Sequence, residues 1–515
     1  MKHLLTAIAW LPLATCLGLI PTTWAAQETA EKNETKNETE VVAKAQQSVT
    51  HHQVKIAGKT VAYTATAGWL IQKKDDKPVA RFGYTAYTRD DAGPAAARPL
   101  TFAFNGGPGS SSIWLHLGIL GPERVVIADE GYTPPPGRHE ANEFSIIDAT
   151  DLVMVDPVGT GFSKPLGKAK GKDFWGVDQD IKSVAAFIKQ YVSENRRWAS
   201  PKFILGESYG GVRGAGLAQY LQATQGMNLN GLILVSPFLS MVSGADGAAI
   251  DLPYALYLPT FAATAWYHDK LAQKPPELKP FLDEVERFTR NEYLPALVDG
   301  FTLDAERKKA VAARLAAYTG TSADYWLKAD LRVSHQQFLQ ELLRDERRIA
   351  GRIDSRFVGP ALNPLAESMD YDPFFPAVGP AFTAAFLDYL HNELDFGHDE
   401  EYQVSAFGVE WDWKHQPPGE RWWMPYPNLV PDLAQALVMN PGLKLLIQQG
   451  YYDLATPFAA MHYDLAHLDV PPEVRQRIAV EYYEAGHMMY LHPPSRQKFR
   501  ADLARFIQTA AGGGG

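Results

Sequence analysis

Short runs rich in β-forming residues and bounded by Gly, Pro, Asp or Asn recur along this chain and limit most strongly what it can fold into. They lie at 60–66, 82–88, 100–104, 152–155, 202–205, 231–235, 444–448 and 478–483. Several consist of Val, Ile, Leu and Phe without alternation, as in strands that are covered on both faces. Amphipathic helical patterns accompany them at 179–194, 212–224 and 495–508. We therefore predict an α/β protein with a mostly parallel central sheet.

The part of the chain between the strand patterns at 231–235 and 444–448 has a different residue pattern. Helical periodicity rich in Ala, Leu, Glu and Arg, without a convincing strand pattern, runs through 277–293, 304–318 and 334–353. A chain of 515 residues is long enough for one large domain that carries an insertion. We expect a core formed by 49–240 and 431–511 and an inserted helical cap formed by 241–430.

Charge and cysteine content exclude several classes of function. The chain carries 49 Lys and Arg against 59 Asp and Glu, a net charge of −10, which argues against a nucleic-acid partner and against a basic membrane-binding surface. Its one cysteine, Cys16, lies in a segment that we expect to be removed. The mature chain would then have no disulfide, no cysteine nucleophile and no four-cysteine zinc site.

The N-terminus predicts export. A basic start, an apolar run at 4–20 and small residues ending near Ala25 match a secretory signal peptide, so the protein is expected to be secreted or periplasmic after cleavage. A lipid anchor at Cys16 is the minor alternative, and no stable membrane insertion is expected. A polar, disordered linker is predicted at 26–48, and a glycine tail at 512–515.

The sharpest chemical signal is the sequence G-E-S-Y-G at 206–210, which directly follows one strand pattern and precedes a helical pattern. This is the setting of a nucleophile elbow, in which a strained turn projects a serine hydroxyl above the sheet. Glycines on either side let the strand and the helix approach each other. We therefore predict Ser208 as the nucleophile, with a serine in an ordinary strand–helix turn as the alternative.

A serine nucleophile needs a base and an orienting carboxylate, and in this fold the chain order is Ser, acid, His. Among 14 histidines, His487 lies in the loop directly after the last strand pattern, and we predict it as the general base. Asp453 follows the preceding strand pattern, at the sheet edge where open α/β sheets place their sites, and is predicted as the acid. Asp464 and Asp469 are possible substitutes farther from a strand end.

Acyl transfer also needs N–H donors for the oxyanion of the tetrahedral intermediate. The glycine-rich segment 105–112 follows the strand pattern 100–104, the position from which one donor comes, and the second donor is the residue after the serine. Gly107 and Tyr209 are therefore the predicted pair. An ordinary turn is the alternative, whereas a phosphate loop is disfavoured because no Lys-Ser/Thr follows the glycines.

Five segments in this order resemble the serine carboxypeptidases, which are α/β-hydrolase-fold peptidases acting at peptide C-termini: 105–112, 156–163, 206–211, 450–457 and 485–488. The resemblance implies an α/β-hydrolase fold with an inserted helical cap and a peptide substrate. It assigns the triad and the oxyanion hole to the residues predicted above. It adds that Asn105 and Glu207 bind the terminal carboxylate of the substrate. No cofactor and no metal is implied.

The sequence departs from the family at Ile119, where a second carboxylate-binding glutamate is usual. His116, three residues earlier, is either a cationic replacement for that glutamate or a packed histidine. Aromatic residues at 411–413 and 422–426 either pack within the cap or line the side-chain pocket. Alternatives to a carboxypeptidase are an esterase or acyltransferase with the same triad, or an inactive hydrolase fold that only binds.

Overall fold

The computed structural model describes residues 44–245, 250–406 and 408–512. The predicted signal peptide, Cys16, linker residues 26–43 and tail residues 513–515 lie outside the described residues. A strand begins at Gln46, so the linker prediction is wrong for its last three residues. Among the described helices, none is both long and apolar enough to cross a membrane.

Fourteen strands are found among the described residues. They are β1 (Gln46–Ile56), β2 (Lys59–Lys74), β3 (Lys77–Arg89), β4 (Leu100–Phe104), β5 (Glu123–Val125), β6 (His139–Ala141), β7 (Asp151–Val155), β8 (Lys164–Pro165), β9 (Lys202–Glu207), β10 (Gly231–Val235), β11 (Arg348–Ala350), β12 (Val358–Pro360), β13 (Lys444–Gly450) and β14 (Ile478–Tyr483).

One central sheet has the order β1-β2-β3-β7-β4-β9-β10-β13-β14, with β8 paired to β3. From β7 to β14 all neighbours are parallel, and β1 to β3 form an antiparallel meander that joins β7 antiparallel. Every residue of β4, β7, β9 and β10 is buried, as expected for strands covered on both faces. The mostly parallel sheet predicted from the apolar runs is confirmed.

Fifteen α-helices lie in the described part of the chain. They are α1 (Ile113–Leu115), α2 (Val177–Glu194), α3 (Gly210–Gln225), α4 (Met241–Gly244), α5 (Leu252–Tyr267), α6 (Leu278–Phe288), α7 (Leu294–Asp299), α8 (Ala305–Thr319), α9 (Ala323–Lys328), α10 (His335–Glu341), α11 (Phe374–Asn392), α12 (Val430–Met439), α13 (Phe458–Ala466), α14 (Pro472–Arg475) and α15 (Pro493–Ala511).

Two hydrophobic clusters organise these helices. Helices α2, α3 and α12 share one apolar core with the central strands, and α15 packs against β10 and β13. A second core joins α5, α6 and α8 to Tyr452 and Phe458, which follow β13. The inserted block between β10 and α12 therefore packs directly beside the chain segment that carries Asp453.

The predicted helix over 334–353 is wrong beyond residue 341. Helix α10 begins as the sequence suggests, because Ser334 and Gln337 form a reciprocal capping box. It ends at Glu341, and Arg347 adopts a left-handed conformation with φ of 57°. The chain then forms the hairpin β11–β12, a strand pair that the cap's helical texture did not predict. The loop between these two strands contacts the candidate site.

Candidate active site

Ser208 occupies a sharp turn between β9 and α3. Its φ is 63°, a left-handed conformation that costs a non-glycine residue of order 1–3 kcal/mol and persists only where surroundings hold it. Its N–H donates to Val235 O at 3.0 Å, and its carbonyl accepts from the N–H groups of Gly211 and Phe238 at 2.8 and 2.9 Å. A Cβ on Gly206 would overlap the carbonyl oxygen of Gly210, which is why the turn needs glycine there. This is the predicted elbow geometry.

Asp453 and His487 meet in a buried ion pair. Asp453 follows β13, His487 follows β14, and His487 Nδ1 lies 2.8 Å from Asp453 Oδ2. The other carboxylate oxygen accepts the N–H groups of Ala455 and Thr456 at 2.8 and 2.9 Å, so the acid cannot rotate freely. Because a carboxylate accepts from Nδ1, the neutral imidazole leaves Nε2 able to accept a proton.

Further contacts hold the histidine loop. The N–H of His487 donates to Ile353 O at 2.7 Å, and its carbonyl accepts from Ser236 Oγ at 2.7 Å. Asp354 Oδ2 accepts the N–H of Gly486 at 3.1 Å. Burial acts to lower the pKa of His487, but the charge and hydrogen bond of Asp453 outweigh it, so the pKa is raised above 6.5.

Two backbone N–H groups near Ser208 are available to a ligand. The segment after β4 runs so close to the elbow that a Cβ on Gly106 would overlap the backbone nitrogen of Tyr209. Gly107, Ser208 and Tyr209 border one cavity of about 260 Å³. Within the described residues, neither the N–H of Gly107 nor that of Tyr209 donates a hydrogen bond. A pair of free donors beside a serine is the arrangement that an oxyanion requires.

Asn105 and Glu207 form a second buried polar pair. Asn105 Nδ2 donates to Glu207 Oε1 at 2.7 Å, and Asn105 Oδ1 accepts the N–H of Leu115 at 3.0 Å. Arg213, itself paired with Asp180 at 2.7 Å, donates to the carbonyl of Asn105 at 2.7 Å. The backbone of the asparagine is thus fixed from below by a fully buried cation.

The carboxyl of Glu207 is poised between its neutral and ionised forms. Burial raises its pKa to about 7, against the opposing effects of His487, of the nearby Tyr490 hydroxyl and of the hydrogen bond from Asn105. Its second oxygen, Oε2, is buried and has no hydrogen-bond partner among the described residues. An unpartnered buried carboxyl oxygen at a cavity wall is suited to a polar ligand group.

Two cavities meet at Ser208. The first, the Glu207 cavity, has a volume of about 340 Å³ and is lined by Asn105, Glu207, Ser208 and His487 together with Trp114, Arg352, Ile353, Phe375, Ala406 and Met488. The second, the Tyr209 cavity, is lined by Tyr209 and Ser208 together with Phe238, Met241, Tyr257, His335, Arg352 and Trp413. A substrate spanning Ser208 can therefore place one part in each cavity.

His116 does not belong to either cavity. It is 2% exposed, its Nε2 lies 2.6 Å from the hydroxyl of Tyr87, and its ring packs against Phe386. Burial lowers its pKa to about 3, so it is neutral. The hypothesis of a cationic replacement for the missing glutamate is wrong, and the packed-histidine alternative is confirmed. Ile119 is buried in the same segment.

The two aromatic segments of the cap, 411–413 and 422–426, were predicted either to pack within the cap or to line the side-chain pocket. Trp413 lines the Tyr209 cavity, and the rings of Trp411 and Trp413 pack edge-on against Tyr209. Trp422 and Trp423 are 78% and 51% exposed and belong neither to the cap core nor to these cavities. Only the first segment therefore contributes to a pocket wall.

Three residues of the site were not predicted from the sequence, although one of them, Thr456, lies within the segment 450–457. Thr456 Oγ1 lies 2.7 Å from Asp453 Oδ2, and Asp354 and Arg352 reach the site from the loop between β11 and β12. The two cap residues are about 100 positions from Asp453 and about 134 from His487 along the chain, and only tertiary folding brings them close. Neither of them stands in a recognisable spacing.

Two other clusters could in principle hold a metal ion. Glu123, His139 and Glu393 form one, and Asp129, Glu130 and His492 form the other, each with ligand atoms within 4.8 Å of one another. Neither cluster includes a residue that lines the cavities at Ser208. The prediction that the chemistry uses no metal and no cofactor stays a prediction.

The chain matches known proteins over part of its length. Residues 56–275 match the family model described as serine carboxypeptidase. Over 145 residues the chain is 34% identical to the pheromone-processing carboxypeptidase KEX1 of Saccharomyces cerevisiae, covering 27% of this chain and 19% of that protein. Over 170 residues it is 30% identical to serine carboxypeptidase-like 36 of Arabidopsis thaliana, covering 32% of this chain and 33% of that protein. The alignments thus span a third or less of these relatives.

The structure resembles a solved carboxypeptidase over most of its length. The crystal structure of a prohormone-processing carboxypeptidase from Saccharomyces cerevisiae matches with a TM-score of 0.50 at 16% identity, covering 86% of this chain and 91% of that chain. At this identity the likeness establishes the fold alone. The chain has an α/β-hydrolase fold, as the sequence predicted. The family-model match and the two relatives support the resemblance to serine carboxypeptidases.

Proposed function

We propose that this protein is a serine carboxypeptidase, which releases single amino acids from the C-termini of peptides. The observation that carries the proposal is the Asp453–His487 hydrogen bond of 2.8 Å beside the left-handed Ser208, in one cavity with the Asn105–Glu207 pair. Ser208, His487 and Asp453 are the nucleophile, base and acid that a serine hydrolase requires. The second pair gives that hydrolase a site for a terminal carboxylate.

The proposed reaction uses Ser208 as nucleophile, His487 as base and Asp453 as the orienting acid. His487 Nε2 takes the proton of the Ser208 hydroxyl as its oxygen attacks the last peptide carbonyl. The N–H groups of Gly107 and Tyr209 donate to the resulting oxyanion. The imidazolium, stabilised by Asp453, then gives its proton to the departing amine as the peptide bond breaks. Water hydrolyses the acyl-enzyme by the same route, restoring the serine hydroxyl and releasing the shortened peptide.

Recognition of the terminal carboxylate rests on the protonation of Glu207. With a pKa of about 7, its carboxyl is neutral at acidic pH and can donate a hydrogen bond from the unpartnered oxygen Oε2. Asn105 holds the opposite oxygen and so aims the carboxyl. An ionised Glu207 would repel the substrate instead. The single glutamate, with Ile119 in place of a second one, is proposed to be sufficient.

We also propose that the protein acts as a secreted or periplasmic, bacterial-type member of this class, after removal of residues 1–25. The support is the sequence pattern of the N-terminus alone. N-terminal sequencing of the exported protein tests it. A first residue near Ala26 is expected, whereas a lipid-modified Cys16 would favour the anchored alternative.

Matched substrates test the activity. Two substrates are compared, a blocked dipeptide with a free C-terminal carboxylate and the same dipeptide as an amide. They differ only in the terminal charge that Asn105 and Glu207 are proposed to bind. We expect cleavage of the acid and a kcat/KM at least about 100-fold lower for the amide, since a charged hydrogen-bonded partner is lost. Ser208→Ala, as the matched control, should abolish cleavage of both. Equal cleavage of acid and amide would indicate an endopeptidase or amidase, and hydrolysis of esters alone would indicate an esterase.

A further inference from the structure

Arg352 belongs to a cap segment that is fastened to the loops carrying Asp453 and His487. Its carbonyl accepts the N–H of Leu454 at 3.0 Å, and the carbonyl of the next residue, Ile353, accepts the N–H of His487 at 2.7 Å. The position of the arginine backbone is thus tied to two loops of the candidate triad. Any group that its side chain binds will be held in a fixed relation to Ser208.

The guanidinium of Arg352 acts electrostatically on Asp372 and His487 but has no hydrogen-bonded partner among the described residues. The side chain is half-buried and lines both the Glu207 cavity and the Tyr209 cavity. Among the described residues, no hydrogen bond or ion pair within 4.0 Å engages it. The neighbouring acid, Asp372, is occupied, because its two oxygens accept the N–H groups of Ile353 and Phe374 at 3.0 Å each. A partly desolvated guanidinium in a cleft, with its donors unused, is suited to a carboxylate ligand.

The location of Arg352 distinguishes two carboxylates that a peptide could present. The pair proposed to bind the terminal carboxylate, Asn105 and Glu207, comes from the core strands β4 and β9. Arg352 comes from the cap, together with Ile353 and Phe375, and these two neighbours line the Glu207 cavity but not the Tyr209 cavity. If Asn105 and Glu207 bind the terminal carboxylate, the side chain of the released residue would lie against the cap wall of the Glu207 cavity.

Resting on the proposed function, we propose that Arg352 is a specificity-determining residue that binds an acidic side chain on the released amino acid. The preferred substrates are then peptides that end in Glu or Asp. The planar guanidinium can pair with that carboxylate through two parallel N–H···O hydrogen bonds. Trp114, Ile353 and Phe375 provide apolar walls for the methylene groups of the same side chain.

Three blocked dipeptides with one acyl part and Glu, Gln or Leu as the released residue test the proposal. For the wild-type protein we expect kcat/KM for Glu to exceed that for the isosteric Gln by about 10- to 100-fold, the size of a charged hydrogen-bonded pair. Arg352→Gln should remove that preference, so that kcat/KM for Glu and for Gln differ by less than about threefold. Arg348→Gln, an exposed position on β11, is the matched control and should retain it. Arg352→Glu should instead favour release of Lys over Gln.

The possible outcomes separate the two proposals. If the wild-type protein cleaves none of the three free acids, the proposed function fails and this inference fails with it. If all three are cleaved but Glu has no advantage, or Arg352→Gln lowers all three rates equally, only the inference is overturned. A charge preference that depends on Arg352 but follows the penultimate residue would overturn it as well. Fluorophosphonate titration of each variant shows that the rates refer to folded protein.

Discussion

Glu207 should make the binding of peptide substrates depend on pH in a way that one substitution removes. Its pKa of about 7, raised chiefly by burial, means that the carboxyl donates a hydrogen bond below pH 7 and carries a negative charge above it. If only the neutral form accepts a terminal carboxylate, KM rises about tenfold for each pH unit above 7. Since half of the carboxyl is already ionised at pH 7, the expected increase between pH 7 and pH 9 is about 50-fold.

Glu207→Gln supplies a neutral donor at every pH. The amide retains an oxygen for the hydrogen bond from Asn105 and places an N–H₂ group where the unpartnered oxygen lies. We expect the KM of the variant for a free-acid dipeptide to stay within about threefold between pH 6 and pH 9. The titration of His487 affects kcat rather than KM, so steady-state kinetics over this range separates the two groups.

An ester substrate without a terminal carboxylate is the control for this experiment. Its KM should be nearly independent of pH in both proteins, because Glu207 has no charge to repel. A wild-type KM for the free acid that is flat from pH 6 to pH 9 would refute the reasoning. So would a variant whose KM rises as steeply as that of the wild-type protein.

The remaining predictions concern the free energy of unfolding and the rate. The raised pKa of Glu207 stabilises the folded state at low pH, and this stabilisation is lost as pH rises through about 7. Between pH 4 and pH 8.5 the free energy of unfolding of the wild-type protein should therefore fall by about 3 kcal/mol relative to that of Glu207→Gln, as measured by urea denaturation. Asp453→Asn should lower kcat by about 10⁴-fold with a small change in KM, because the imidazole loses its orienting carboxylate; a loss below tenfold would contradict the assignment of the acid. His415 lies 2.7 Å from Asp178 and 2.9 Å from Asp432, and although burial acts to lower its pKa, these carboxylates raise it to about 9. Its contribution to stability is complete below pH 6.5 and is lost as pH rises through about 9, so the wild-type protein should lose about 3 kcal/mol relative to His415→Gln between pH 6 and pH 9.5, and equal pH profiles would argue against the ion pairs.

Residue patterns predicted the central sheet well because burial on both faces leaves a strong trace in the sequence. Strands β4, β10 and β14 begin and end where the apolar runs do. Strand β1 was missed, and its burial pattern shows why: it pairs only with β2 at the sheet edge and exposes alternate polar residues. Such a strand is indistinguishable in composition from a polar linker.

The candidate site was predictable only where local rules apply. The elbow at Ser208 and the loop positions of Asp453 and His487 follow from their attachment to the C-terminal ends of strands, and the structure brings the acid and the histidine together. Arg352 belongs to no motif, and no local rule connects the cap loop to the histidine loop. The neutral state of His116 depends on burial that its sequence neighbourhood does not reveal.

The central claim is that Ser208 is a nucleophile activated by His487, and covalent labelling tests it most directly. The protein is treated with a fluorophosphonate, digested and mapped by mass spectrometry, with Ser208→Ala and His487→Ala as variants. We predict one adduct, on Ser208, absent from the first variant and formed at least about 10³-fold more slowly in the second. An adduct on another residue, or labelling of Ser208 at the wild-type rate without His487, would contradict the account.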